Sequence, residues 1–331
     1  MIRRHMIMSA TAATLALASC SGGDDDPTPT PSPTSTATPT PTPTASPTYA
    51  AFPLAAAAQF NTINAALSYT GDPAAGAVSL GTVSTETLSS RVSLATSNAI
   101  ATATYVVNEA GEESRFTVAN ATVQPAPSVT EFVFRNNDTT TPGKFTQLEF
   151  LNNTIPSQVT SNTALQLTNV SYMNWWRGDS TAGAKRFTTG VFGYNTASTD
   201  LPTTGTQAYT ATVSGQLVSV AGTTTTVTRV SGTVTLSVNF ATSLIDLTMN
   251  LTTPGTGGGA PVPYGTFTAQ ASWATKSTLF NGSFLQGSPL NGTVTGGFYG
   301  SQAKEIGLTF AASGVFNGAN QRLVGNIVGK K

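Results

Sequence analysis

Histidine and cysteine are almost missing from this sequence: His5 is its one histidine and Cys20 its one cysteine. His5 lies in a stretch that reads as a removable leader, so the folded part is expected to hold no histidine. That excludes a Ser-His-Asp triad, a Cys-His pair, a His-ligated zinc site and an internal disulfide. Charge is scarce as well. Asp, Glu, Lys and Arg make up 9% of the 331 residues, 15 basic and 15 acidic, against about a quarter in ordinary soluble domains. No basic patch stands out, which argues against a nucleic-acid partner. Lys and Glu at helical spacing are almost absent, so helices are not expected to carry the fold. No EF-hand, phosphate loop, serine elbow or dinucleotide fingerprint occurs. An enzyme would need paired carboxylates. Glu149, Asp179, Asp200, Asp246 and Glu305 are available, but their spacing pairs none of them. The expectation is no catalytic residue, no cofactor and no metal.

What is present begins with Met1 to Cys20, MIRRHMIMSATAATLALASC. Arg3 and Arg4 precede a short apolar run, Met6 to Ala18, too short to span a bilayer. This reads as a signal peptide over residues 1–19. Leu17-Ala18-Ser19-Cys20 resembles the bacterial lipobox, which implies acyl chains on Cys20 and a membrane anchor of about 0.8 kcal/mol per buried CH₂. Ser21, in place of Asp, resembles the pattern for transfer to the outer membrane. Pro27 to Thr48 reads PTPTPSPTSTATPTPTPTASPT. Such a segment has no apolar area to bury and favours an extended chain, at about 3.1 Å per residue roughly 70 Å long. Residues 20–48 are therefore expected to be a lipidated, disordered stalk.

From Tyr49 onward the main signal is period-2 alternation. Val234, Leu236, Val238 and Phe240 alternate with Thr and Ser, as do Phe267, Ala269, Ala271 and Trp273. Tyr209, Ala211 and Val213, and again Ile306, Leu308 and Phe310, follow the same rule. One apolar face and one small polar face is the pattern of a sheet covered on one side. Asn281-Gly282, Asn291-Gly292 and Asn317-Gly318 are tight-turn signals, and Gly255 to Pro263 reads as a longer loop. Many short strands predict an all-β sandwich or barrel. A membrane-spanning barrel is not expected, because the polar face has no place in lipid. Only Gln59 to Leu67, with Phe60, Ile63 and Leu67, hints at a helix. Alternation is weaker over residues 49–163 and regular over 164–331, which predicts a smaller β-rich domain followed by a larger one.

Gly296 to Phe310, GGFYGSQAKEIGLTF, resembles the Gly-x-Phe-Tyr-Gly-Pro-x-Ala-x-Glu-x-Gly-Gly-x-Phe signature of transferrin-binding protein B and related surface lipoproteins. Ser301 stands where that pattern has Pro, and Leu308 where it has its second Gly. Leu201 to Tyr209 resembles the family's Pro-x-x-Gly-x-x-x-Tyr strand entry, and Tyr172 to Arg177, YMNWWR, its barrel-opening aromatic strand. The resemblance implies an eight-stranded antiparallel soluble β-barrel over 164–331, preceded by a handle-like domain over 49–163. Gly297, Phe298, Tyr299, Gly300, Ala303, Glu305 and Gly307 are then structural: glycines for close backbone approach, Phe298 for the core, Glu305 to accept from backbone N–H groups.

Binding contacts are sought at Trp175, Trp176 and Arg177. Adjacent residues on a strand face opposite ways, so one indole points inward; the other, beside Arg177 and Asp179, is the candidate hot spot. Lys185-Arg186 reads as a solvated turn. The resemblance implies a surface lipoprotein of the outer membrane that binds a protein or small ligand, for iron, haem or other nutrient uptake with an outer-membrane transporter. The alternative is a structural or adhesive surface lipoprotein without a soluble ligand, which low charge and Thr/Ser/Asn/Gly richness would suit.

Overall fold

The computed structural model describes residues 47–109 and 111–331; Cys20, the leader and nearly all of the stalk lie outside them. The described chain is built of antiparallel strands with a few single 3₁₀ turns. No helix among the described residues is long and apolar enough to cross a membrane.

Eight strands close into a barrel: β10 (Thr206–Ala221), β11 (Thr224–Asn239), β12 (Leu244–Thr253), β13 (Val262–Ser272), β14 (Leu279–Phe284), β15 (Asn291–Tyr299), β16 (Glu305–Phe316) and β17 (Ala319–Lys330). Closure is made by β17 on β10, from Thr210 opposite Lys330 to Val220 opposite Asn320. The alternation read from the sequence is the inside-outside pattern of this barrel. Leu236, Val238, Phe240, Phe267, Ala269, Ala271, Ile306, Leu308 and Phe310 all join the interior core, and Phe298 makes tilted and edge-on ring contacts with Phe240, Trp273 and Phe280. Aromatic and branched side chains fill the lumen as they do in other small barrels.

The remaining nine strands form one open sheet. They are β1 (Ala58–Thr70), β2 (Ser79–Thr96), β3 (Thr104–Glu109), β4 (Glu112–Thr117), β5 (Ala121–Val123), β6 (Glu131–Asn137), β7 (Phe145–Leu151), β8 (Val170–Gly178) and β9 (Ala184–Gly193). Their order is β4-β3-β2-β1-β9-β8-β7-β6-β5. The sheet curls until its two limbs meet. Tyr105 on β3 packs on Phe150 of β7 at 4.4 Å and Phe134 of β6 at 5.1 Å, and Asn136 Nδ2 donates to Arg115 O across the gap at 3.2 Å. Phe60, Phe116, Phe132, Met173, Trp175 and Phe192 fill the hollow. The outer face of β1, β8 and β9 lies against the barrel wall. Ile63, Val170, Tyr172 and Val191 pack there on Tyr299 and Val328, and Ala65, Leu67, Tyr69 and Phe187 on Val218, Ala311 and Val324.

Several expectations are corrected. The barrel begins at Thr206, not near residue 164, because the aromatic strand Tyr172 to Arg177 is β8 of the open sheet. Its residues are buried on both faces, by the hollow on one side and the barrel on the other. Such a strand belongs between two layers. Gln59 to Leu67 is strand β1, not helix. Phe60 faces the hollow while Ile63 and Leu67 face the barrel. Register shifts at Asn61, Thr62 and Leu67 give this two-sided burial a helix-like spacing. Asn317-Gly318 is the β16–β17 turn, both residues with positive φ, but Asn281-Gly282 and Asn291-Gly292 lie in strands. A Cβ on Gly282 would run into Gln270 O and approach Ala271 Cα to 2.5 Å. That glycine serves close strand approach, not a turn.

Candidate ligand cleft

The hollow of the open sheet is apolar in its depth and charged at one mouth. Glu109 ends β3, Glu112 begins β4, Asn136 and Asn137 end β6, Phe145 and Thr146 begin β7, Arg177 and Gly178 end β8, and Ala184 to Arg186 begin β9. Because these strands are antiparallel neighbours, their ends converge on one rim. All of these residues except Glu109, which lies behind Arg177, line a cleft of about 670 Å³, within the range of small-molecule sites.

Arg177 is the central side chain of the cleft. Trp175 and Arg177 share the inner face of β8, and the guanidinium carbon lies 3.6 Å from the centre of the indole ring, a cation–π contact. Trp175 is 0% exposed and Arg177 8%. Arg177 Nη2 donates to Glu109 Oε2 at 2.7 Å and to Thr188 Oγ1 at 3.4 Å, while Nη1 pairs with Glu112. Glu109 also pairs with Arg186. Arg177 Nε and Trp175 Nε1 have no hydrogen-bond partner among the described residues. Lys185, expected on a solvated turn, is buried: its Nζ donates to Gly71 O at 2.9 Å, Gly183 O at 3.0 Å and Thr181 O. At the rim, Asp138 accepts from Thr140 Oγ1, Thr140 N and Thr141 N and pairs with Lys144 at 3.3 Å. Those bonds hold its carboxyl well below the usual carboxylate range. The lining cations Lys144, Arg177, Lys185 and Arg186 balance Glu112, Glu113, Asp138 and Asp179.

Of the three residues singled out from sequence, Trp175 and Arg177 line this cleft and Trp176 does not. Trp176 points to the other face, 4.8 Å from the Phe187 ring, and packs toward the barrel. Glu109, Glu112, Phe145 and Arg186 come from other strands, and no local pattern marked them. Among the described residues no group of three or more His, Cys, Asp or Glu is placed to hold a metal.

The Gly297 to Gly307 segment lies where barrel and open sheet join. Glu305 accepts from Thr168 N (2.8 Å), Thr168 Oγ1 (2.9 Å), Asn169 N (2.7 Å) and Val170 N (2.9 Å). Tyr299 is buried against the open sheet, and burial raises its hydroxyl far above its ordinary value. A Cβ on Gly307 would come within 2.8 Å of Val170 Cγ2, and one on Gly300 would run into Asn169 Oδ1. Gly297 faces Leu279 and Ile63, and Ala303 O accepts from Tyr209 OH at 2.6 Å.

A second surface lies at one barrel end. The connections β10–β11, β12–β13, β14–β15 and β16–β17 all emerge there and contain no Asp, Glu, Lys or Arg. Val262 (51%), Leu285 (45%) and Val315 (72%) are exposed on it, beside Tyr264 and Phe316 at 5.6 Å. Tyr49 sits at the other end, where its hydroxyl donates to Asp200 Oδ2 and Asp200 accepts from Gln302 N, both at 2.9 Å.

No protein-family model matches the sequence, and neither does any curated protein. Solved structures do resemble the chain. A double mutant of transferrin binding protein B from Haemophilus parasuis is 15% identical, with 81% of this chain and 45% of that one covered and a TM-score of 0.41. Isotype 1 transferrin binding protein B from Neisseria meningitidis is 15% identical, with 81% and 44% covered and a TM-score of 0.40. The N-lobe domain of lactoferrin binding protein B from Moraxella bovis is 12% identical, with 60% and 79% covered and a TM-score of 0.26. The chain spans less than half of the first two. These are likenesses of fold at low identity, and the ligands in those names belong to those proteins.

Proposed function

We propose that this chain is a surface lipoprotein of the bacterial outer membrane, held by acyl chains on Cys20, that captures a protein or small ligand at the mouth of its open sheet. Its barrel interior is packed with side chains, so a ligand is met on the outside. The observation that carries the reading is the cleft of about 670 Å³ lined by Arg177, whose guanidinium is held at the rim by one buried and one exposed glutamate. In this reading the stalk displays the domain, and the captured compound, an iron or haem carrier or another nutrient, passes to an outer-membrane transporter. Catalysis is no part of it.

Two measurements test this. Cys20→Ser should move the protein from the membrane fraction to the soluble one. Haem, haemoglobin and iron-carrier proteins should be titrated into the detergent-solubilised chain, and growth on each as iron source compared with a deletion strain. Saturable binding that Arg177→Ala weakens at least tenfold is the expected result. No binding together with unchanged growth on every source would overturn the uptake reading.

The adhesive reading has its own observation: the charge-free barrel end bearing Val262, Leu285 and Val315, opposite the end where Tyr49 enters. Exposed apolar side chains gathered at one end mark contact surfaces.

A further inference from the structure

We infer that the cleft is a site for a small organic carboxylate, which Arg177 binds in exchange for Glu112. This rests on reading the cleft as a ligand site, and it names the chemistry of the ligand. Three observations converge.

The first is the unequal grip on Arg177. Glu109 is buried, is shared with Arg186 and lies inside the mouth. Glu112 is 59% exposed on its side chain and sits at the β3–β4 hairpin, next to Gly111, whose φ of 86° opens onto free space. A pair with one exposed partner is weak, about 0–1 kcal/mol. Glu109 therefore anchors the guanidinium, while Glu112 is a removable carboxylate already seated where a ligand's carboxylate would go.

The second is charge. The lining holds four cations and four anions, and Glu109 behind Arg177 adds a fifth carboxylate. Swapping one singly charged carboxylate for another leaves that count intact. A doubly charged phosphate would face Glu113, Asp138 and Asp179 with an extra negative charge.

The third is the body of the site. Phe145 and Trp175 line it as apolar groups, each with an arginine over one ring face, and Ser114, Asn136 and Thr146 supply neutral polar groups. A small organic body carrying a carboxylate suits this mixed lining better than a bare ion.

The test uses the full detergent-solubilised chain and isothermal titration with benzoate, its neutral analogue benzamide, and inorganic phosphate. Benzoate should bind and benzamide should not. Glu112→Gln keeps the hairpin but removes the competing charge, and should tighten benzoate about threefold. Arg177→Lys keeps the charge but loses the planar fork, and should weaken it about tenfold. Benzoate affinity unchanged in Glu112→Gln overturns the exchange. Benzamide binding as well as benzoate, or phosphate binding better, overturns the carboxylate assignment while the cleft remains a ligand site. Failure of all three probes on both the unaltered chain and Glu112→Gln overturns the inference; the haem and iron-carrier titrations then decide the wider reading separately.

Discussion

Glu305 on barrel strand β16 accepts a 2.9 Å hydrogen bond from the backbone N–H of Val170, the first residue of β8 in the open sheet. The same carboxylate takes the N–H groups of Thr168 and Asn169. One side chain therefore satisfies three consecutive donors of another sheet, with no water needed in the joint. Glu305→Gln puts an amide NH₂ where two of those donors point. The expected cost is about 2–3 kcal/mol of unfolding free energy, read from urea denaturation, with ligand titrations at the cleft unaffected in the folded fraction.

Gly300 adopts φ 71° directly over Asn169. Gly300→Ala should lose about 2–3 kcal/mol, from left-handed strain plus the clash with Asn169 Oδ1. Gly318 at φ 75° faces open space, so Gly318→Ala should lose only about 1–2 kcal/mol. Equal urea midpoints for the two variants would show that Asn169 gives way freely.

Acid should reveal the buried carboxylate at the joint. Burial pushes Glu149 above its ordinary value of 4.5; Arg229 pulls it down, and Glu131 raises it further. A carboxyl whose folded value exceeds its unfolded one binds its proton more tightly when folded. Its contribution to stability therefore grows as pH falls from neutral toward 4.5. Urea midpoints at pH 7 and pH 5 should show this gain in the unaltered chain and not in Glu149→Gln. Asp138 acts in the opposite direction and in another window, since its stabilisation is lost only below the usual Asp value of 3.8.

The charge-free barrel end separates adhesion from folding. Leu285→Ser and Val315→Ser alter exposed side chains, so each should change stability by no more than about 0.5 kcal/mol. If that end makes cell or matrix contacts, the double variant should reduce cell attachment in a flow assay. Unchanged attachment would remove the adhesive reading.

Trp176 illustrates a role that depends on assembly. Its ring packs on Phe187 at 4.8 Å beneath the barrel. Trp176→Ala should cost about 2–4 kcal/mol and leave benzoate affinity unchanged, whereas Trp175→Ala should alter both.

Strand identity was legible wherever one face met the core and the other met water. Leu236, Val238 and Phe240 and their neighbours declare the pleat through side chains alone. The Gln59 to Leu67 segment misled because it has no watery face: Phe60 serves one core and Ile63 another. Asn281-Gly282 misled because a glycine required by the closeness of Ala271 looks, in one dimension, like a glycine required by a turn. The cleft was legible only in its β8 members. Glu109 and Arg177 are 68 residues apart, and no spacing rule spans that distance.

By itself the sequence determined the local terms: the pleated strands from alternating side chains, and the lack of any histidine in residues 47–331 from composition. Each depends on a residue and its near neighbours. Tertiary structure alone decided which strands close into a barrel, that β8 lies between two cores, and that Arg177 meets Glu109 and Glu112 at one rim. Those outcomes depend on how sheets curl and stack to bury two faces at once, a packing condition on the whole chain that no single segment carries.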